Sequence, residues 1–297
     1  MKIAYIILAY KLPEQLVRLV KKLNTEDTNF FIHVDRYTNN KIYQLMFDRL
    51  NRITNVHFVQ RINSKWGQLG CVKATLEGIQ EIYSQNMEFD YLINLSGQDY
   101  PIKNNLYIQN ILQENKGMSL IRHIPIPYPS HPHIEDLVKY WHIYWRDYHF
   151  VLPRENMFAS PVLNSIWNIF AKKITLRRKP PLNLTPYYGS SYWCLSHECV
   201  DYVYDFVGRN ESFINYFKYV QFPTEFFFQT ILQNSIFKDR IINDNLRYID
   251  FSSKKANPKV LGKEDFDKFI DSRNIFARKF DVTYDPDVLD MIDKKIS

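Results

Sequence analysis

Within the first hundred residues, short apolar runs alternate with stretches of helical spacing, and that order leaves few folds open. Ile3–Ala9 reads as a strand. Glu14 to Leu23 then places Leu16, Leu19, Val20 and Leu23 on one helical face. Phe30–Asp35 is a second strand, Lys41–Leu50 a second helix and Val56–Gln60 a short third strand. Gly70 to Tyr83 carries Val72, Leu76, Ile79 and Ile82 at helical period before the apolar run from Tyr91. Helical and strand periods taking turns in this way predict an α/β fold: a mostly parallel sheet flanked by crossover helices.

The run from Tyr91 stops in Ser96-Gly97-Gln98-Asp99, and Pro101 ends it. In open parallel sheets, ligands gather at the carboxyl ends of strands, so these polar residues mark a candidate site. After the first strand stands Tyr10-Lys-Leu-Pro13 in place of a glycine-rich fingerprint, which excludes a Rossmann dinucleotide site. With 8 glycines and no phosphate-loop pattern, the sequence argues against a P-loop NTPase as well.

From residue 123 the pattern loosens. Residues 123–150 are dense in Pro, His, Tyr and Trp, including Tyr140-Trp-His-Ile-Tyr-Trp-Arg146. They read as loops and short helices packed on the sheet, or as an acceptor-binding excursion. Val162 to Phe170 is apolar, and Lys172, Lys173, Arg177, Arg178 and Lys179 follow. That basic run is either a solvated face or a contact for an anionic membrane surface. Regular patterning returns with a strand at Tyr188–Leu195, a helix from an N-cap at Ser196 to Phe206, and helix again after Pro223. Leu246–Phe251 is a strand and Asp265–Ile270 a helix. The extended Phe276–Asp281 and a short terminal helix after Asp287 close the chain. Without repeats or long linkers, one compact domain is expected.

Aromatic residues make up 16% of the chain, enough for sugar stacking as well as core. A net charge of +6 suits an anionic ligand, and no arginine-rich arm or zinc-finger spacing points to nucleic acid. Three cysteines, Cys71, Cys194 and Cys199, with no CxxC pair, fit a reducing compartment. No stretch nears 18 apolar residues, so a cytoplasmic chain without a membrane span is expected, with peripheral contact through residues 172–179.

Six segments in order resemble the core-2/I-branching β-1,6-N-acetylglucosaminyltransferase family, which includes the peptide O-xylosyltransferases. They are Phe31-Ile-His-Val-Asp35, Lys65-Trp-Gly67, Asn94 to Ile102, Tyr188-Gly-Ser-Ser-Tyr-Trp193, Pro223-Thr-Glu225 and Phe276-Ala-Arg-Lys-Phe-Asp281. The resemblance implies a single GT-A-type domain over 1–297, with 1–122 as a nucleotide-binding half and 123–297 as an acceptor and catalytic half. It also implies an inverting glycosyltransferase that moves GlcNAc or xylose from a UDP-sugar to a glycan hydroxyl without a metal or other cofactor. Lacking an anchor and poor in cysteine, the chain reads as a bacterial member acting on a glycan or lipid-linked glycan.

Glu225 falls on the family's general base. On its own residues it is equally an acid favoured by the first turn of a helix. Lys279 falls on the family lysine that stabilises the leaving UDP. The family arginine has no match: Lys259 in Asn257-Pro-Lys259 stands nearest, and Arg278 is the other candidate. Asp35 either meets uridine or ribose or simply caps its strand. Trp66 is either a donor contact or core. Gln98 and Asp99 stand where metal-dependent members of the fold carry Asp-x-Asp, and are expected to face ribose or the donor sugar. Ser190, Ser191, Tyr192 and Trp193 are the expected acceptor contacts. His33 reads as a hydrogen-bonded core residue, and the Asp-x-Asp matches at Asp265 and Asp285 as incidental. Two other readings stay open: a non-catalytic nucleotide-sugar or glycan binder on this fold, and a metal-dependent GT-A transferase of another family.

Overall fold

The computed structural model describes residues 1–131, 133–145, 148–152, 160–173, 178–253 and 257–297. The chain opens with β1 (Ile3–Ala9), α1 (Pro13–Leu23), β2 (Thr28–Val34), α2 (Asn40–Leu50), β3 (Val56–Phe58) and α3 (Gly70–Ser84). There follow β4 (Tyr91–Ser96), β5 (Asp99–Pro101), α4 (Asn105–Glu114), β6 (Ser119–Pro125), α5 (His133–Lys139), β7 (Trp141–Trp145), β8 (Tyr148–Leu152) and α6 (Pro161–Lys173). The remainder is β9 (Tyr187–Ser196), α7 (His197–Arg209), α8 (Glu211–Phe217), α9 (Phe227–Gln233), β10 (Ile241–Ile242), β11 (Arg247–Ile249), α10 (Phe266–Ile270), β12 (Phe276–Arg278) and α11 (Val288–Lys295).

Seven strands form the central sheet in the order β10-β6-β9-β4-β1-β2-β3. All but one run the same way; β9 is antiparallel to both β4 and β6. Helices cover both faces, so successive residues of a strand enter different cores. Tyr5 and Ile7 pack with Leu16, Leu19 and Leu23 of α1, whereas Ala4 and Ile6 pack with Val72, Ile79 and Ile82 of α3. The second core also takes Phe213, Phe217, Phe227 and Phe228, which accounts for much of the aromatic content. α1 starts where its sequence predicts: Pro13 opens the first turn, Glu14 complements the helix N-terminus, and Lys21 and Lys22 lie in the last turn.

The sheet joins the two halves of the chain, because β4 pairs with β9 over Tyr91↔Ser196 to Ile93↔Cys194. Gly189 makes the β6–β9 pairing possible. A Cβ there would sit 1.7 Å from the Arg122 carbonyl oxygen, at the point where the register shifts between Ile121 and His123. A small sheet, β11-β12-β5, forms just beyond the end of β4.

The middle third differs from the expected loops and short helices. Its aromatic run forms the β7–β8 hairpin, with Trp141 opposite Leu152 and Trp145 opposite Tyr148. Apolar side chains on both faces erase the alternation that would have marked these strands. The predicted strand at 56–60 is shorter, Val56–Phe58, and that at 246–251 is Arg247–Ile249. α7 begins at Ser196 as expected, but that hydroxyl makes no capping bond; it faces Ser119 Oγ at 3.1 Å. The segment from Pro223 is a 3₁₀ turn, Pro223–Glu225, before α9.

Candidate active site

At one edge of the sheet, β1, β2 and β4 end and the reversed β9 begins. Tyr10, Asp35 and Ser96–Asp99 are therefore gathered with Tyr188–Tyr192. This edge is where an open α/β sheet places a ligand.

Glu225 reaches the edge on the Pro223–Glu225 turn. Phe222, before it, is in the left-handed region at φ 54°, and its N–H donates to the Gly67 carbonyl at 3.1 Å. The turn is fastened to β9: Ser191 Oγ donates to Thr224 Oγ1 at 2.8 Å, and Gln229 Nε2 donates to the Ser190 carbonyl at 2.6 Å. The Phe226 ring packs on Tyr188, centroids 5.2 Å apart. Burial lifts the Glu225 carboxyl to about 7, and a hydrogen bond from the Tyr188 hydroxyl works against that rise. The carboxylate is thus poised near neutrality by its apolar surround, while α9 begins two residues beyond it.

The cations come from the end of β12, the residue after it and the segment after β1. Arg278 faces Asp99 in the β12–β5 register, with 3.7 Å between their charged groups, and its guanidinium lies over the Tyr192 ring at 4.1 Å. Lys11 pairs with Asp281 at 2.6 Å. Lys279 has no carboxylate within ion-pair distance among the described residues, and burial, then Lys11 and Arg278, hold its amine below the ordinary lysine range. An anion arriving at Lys279 would relieve that repulsion. Lys259 is differently placed: Asp265 lies at 2.7 Å from its amine and Glu264 at 3.5 Å.

Gln98 and Asp99 differ from the expectation that they face a donor. Gln98 is buried; its amide donates to the Phe280 carbonyl at 3.1 Å and accepts from the Tyr10 hydroxyl at 3.2 Å. Asp99 is buried and accepts from Ser96 N at 2.6 Å and Ser96 Oγ at 2.5 Å. The reason is β5: the chain turns back at once into the small sheet, which folds both side chains inward. Asp35 ends β2 and is used locally, accepting from Tyr37 N and from Ser64 N and Oγ at 2.6–2.7 Å. Trp66 is 61% exposed, its ring 4.7 Å from Phe222, so it is not core.

Of the expected acceptor residues, Ser190, Ser191 and Tyr192 lie at the edge, half-buried. Trp193 is a correction. It points into the second core against Phe228, fully buried, and has no face for a sugar, because alternation along β9 sends it opposite to Tyr192. His33 is a core residue as expected: Ile62 N donates to its Nε2 at 3.1 Å and burial lowers it to about 4. The Asp-x-Asp matches are structural, Asp265 holding Lys259 and Asp285 accepting from the N–H groups of Lys263, Asp287 and Val288. In the basic run, residues 174–177 lie outside the described residues. Arg178 is buried over Trp141 and Tyr216, at 4.8 and 4.1 Å, instead of forming a solvated face.

Sequence reasoning passed over three residues here. Buried Gln15 donates to the carbonyls of Gly97 and Phe280 and accepts from Val282 N, clamping the Lys279 segment to the end of β4. A glutamine inside the apolar stripe of α1 was the available signal. Tyr188 bonds Glu225, and Lys11 stands directly after β1, where a dinucleotide fold would carry its glycines.

Rat xylosyltransferase 2 is 23% identical over 317 aligned residues, covering 98% of this chain and 33% of its own length. Human xylosyltransferase 1 is 22% identical over 315, covering 98% and 30%. The chain thus spans about a third of the length of the curated relatives it matches. Among solved structures, a 4-diphosphocytidyl-2C-methyl-D-erythritol synthase from Anaerococcus prevotii is 11% identical, with a TM-score of 0.34 over 71% of this chain and 76% of its own. The family model for the core-2/I-branching enzyme matches residues 3–270, and the chain belongs to that family.

Proposed function

We propose that this chain is an inverting glycosyltransferase of the GT-A type that transfers a sugar from a UDP-sugar to a glycan hydroxyl. One observation carries the reading: a carboxyl raised to about 7 and a lysine with no ion-pair partner among the described residues stand at the same edge of the sheet. Glu225 takes the proton from the acceptor hydroxyl as that oxygen bonds to C1 of the donor sugar. The bond from C1 to the UDP oxygen breaks, its electron pair leaves on the β-phosphate, and C1 inverts. Lys279 neutralises the departing charge, with Lys11 and Arg278 adding to the local field. Transfer without a metal is consistent with Asp99, whose carboxylate is engaged by Ser96 and lies 3.7 Å from Arg278. Exposed Trp66 offers an aromatic face to the donor or acceptor sugar.

The relatives' names make UDP-xylose the first donor to try and the family's makes UDP-GlcNAc the second. The test is a hydrolysis panel over UDP-sugars with and without EDTA. Turnover of one donor, insensitive to EDTA and abolished in Glu225→Gln while UDP still binds, is expected. UDP binding without turnover of any donor would instead make the chain a binder, and loss of activity in EDTA with rescue by Mn2+ would overturn the metal-free step.

A further inference from the structure

α6 is built inside out. At about 100° per residue, Val162, Leu163, Ile166 and Ile169 share one side of the helix, with Asn164 on the other. In a helix that serves a core, the apolar side would face inward. Here Val162 is 68% exposed, Leu163 52%, Ile166 61% and Ile169 59%, while Asn164 and Trp167 are half-buried. Four large aliphatic side chains in a row facing water form a patch that the described residues leave uncovered.

Charge selects what covers it. Residues 156–197 contain no Asp or Glu, and Lys172, Lys173, Arg177 and Lys179 follow the apolar stripe directly. Arg178 is excluded from this set by its burial against Trp141 and Tyr216. An aliphatic stripe that runs into a purely cationic stretch matches a bilayer with anionic headgroups, which supplies acyl chains for one and phosphates for the other. No described helix is long and apolar enough to cross a membrane, so the contact is one of lying on the surface.

We propose that the exposed aliphatic side of α6, in a stretch of sequence whose only charges are cationic, docks this protein on anionic lipid bilayers, with Val162, Ile166 and Ile169 inserted at the headgroup boundary. The test is flotation of the full chain with vesicles of phosphatidylcholine and phosphatidylglycerol, against vesicles of phosphatidylcholine alone. The protein is expected to float with the anionic vesicles, and to bind at least about tenfold less to the neutral ones or in about 500 mM NaCl. The triple variant V162S/I166S/I169S is expected to lose flotation while keeping the wild-type thermal midpoint, and K172E/K173E/K179E to lose it too. Equal flotation by the wild type and the triple serine variant would overturn the proposal. So would no flotation at all, or a concentration-dependent dimer of the wild type that the triple variant abolishes, which would make a second copy the cover. These outcomes are read without turnover, so they stand apart from the fate of the proposed reaction.

Discussion

Arg278 and Asp99 face each other across β12 and β5, 3.7 Å apart, with Asp99 fully buried and Arg278 half-buried. Lys279, the next residue, has no such partner among the described residues. Neighbours in sequence are therefore predicted to fail differently. Arg278→Met strands a buried carboxylate and is expected to cost about 3 kcal/mol in a denaturant titration. Lys279→Met removes a cation that its surroundings already disfavour, so stability is expected to stay within about 0.5 kcal/mol while kcat falls about 100-fold. Equal kinetic losses with equal stability would mean that Arg278 serves the leaving group as directly as Lys279 does.

Glu225 links activity and stability through one pKa. Its carboxyl sits at about 7 in the folded chain against an ordinary 4.5. In the proposed role of base it must be ionised, so kcat/KM is expected to climb through pH 7 and level off above it. The folded state binds the proton more tightly than the unfolded one, so ionisation costs stability as pH rises from the lower value through the higher. Glu225→Gln is therefore expected to be inactive yet more stable than wild type by on the order of 1 kcal/mol near pH 8, with little difference near pH 5. Thermal melts at the two pH values check the sign. A variant no more stable at the higher pH would contradict the burial of the carboxylate.

The parallel sheet was legible because buried strands and amphipathic helices carry different periods, and Ile3–Ala9 and Gly70–Tyr83 show them clearly. Glu225 and Lys279 became candidates only through short segments resembling a family, since a lone acid or lysine has no period. What sequence could not show was direction at the strand ends. Gln98 and Asp99 are polar and follow an apolar strand, yet β5 turns them inward, and that depends on pairing with β12 from residue 276 onward. Trp193 was misplaced for a simpler reason: one step along β9 exchanges the site for the core. The β7–β8 hairpin was hidden because its apolar side chains fall on both faces.

Gly67 connects exposed Trp66 to the turn that carries Glu225, the proposed base. Its φ is +78°, and a Cβ there would lie 3.3 Å from the Phe222 ring, in tight contact. Phe222 N–H bonds the Gly67 carbonyl and leads directly into Pro223–Glu225. Gly67→Ala is expected to cost about 1 to 2 kcal/mol of stability from the left-handed backbone alone. Because the ring that gives way belongs to the turn carrying the base, kcat is expected to fall about tenfold or more with little change in UDP affinity. Calorimetry with UDP beside steady-state kinetics separates the two effects, and a variant weakened only in UDP binding would place the loop on the donor alone.

Lys259 is the last cation to assign. Its amine lies 2.7 Å from both oxygens of Asp265. Asp265 is buried, takes the Gly262 N–H at 3.3 Å and has Lys268 as a second cation at 3.7 Å. A phosphate seeking Lys259 would have to displace a carboxylate that is held on several sides, whereas at Lys279 it displaces nothing. Lys259→Met is accordingly expected to lower stability by about 1 to 2 kcal/mol, limited by the remaining Lys268, because a buried carboxylate loses its nearest cation. UDP affinity in that variant is expected to stay within about twofold of wild type, against a loss of about tenfold in Lys279→Met. The two titrations are run side by side. A tenfold loss in Lys259→Met with unchanged stability would show that this lysine leaves Asp265 to meet the diphosphate.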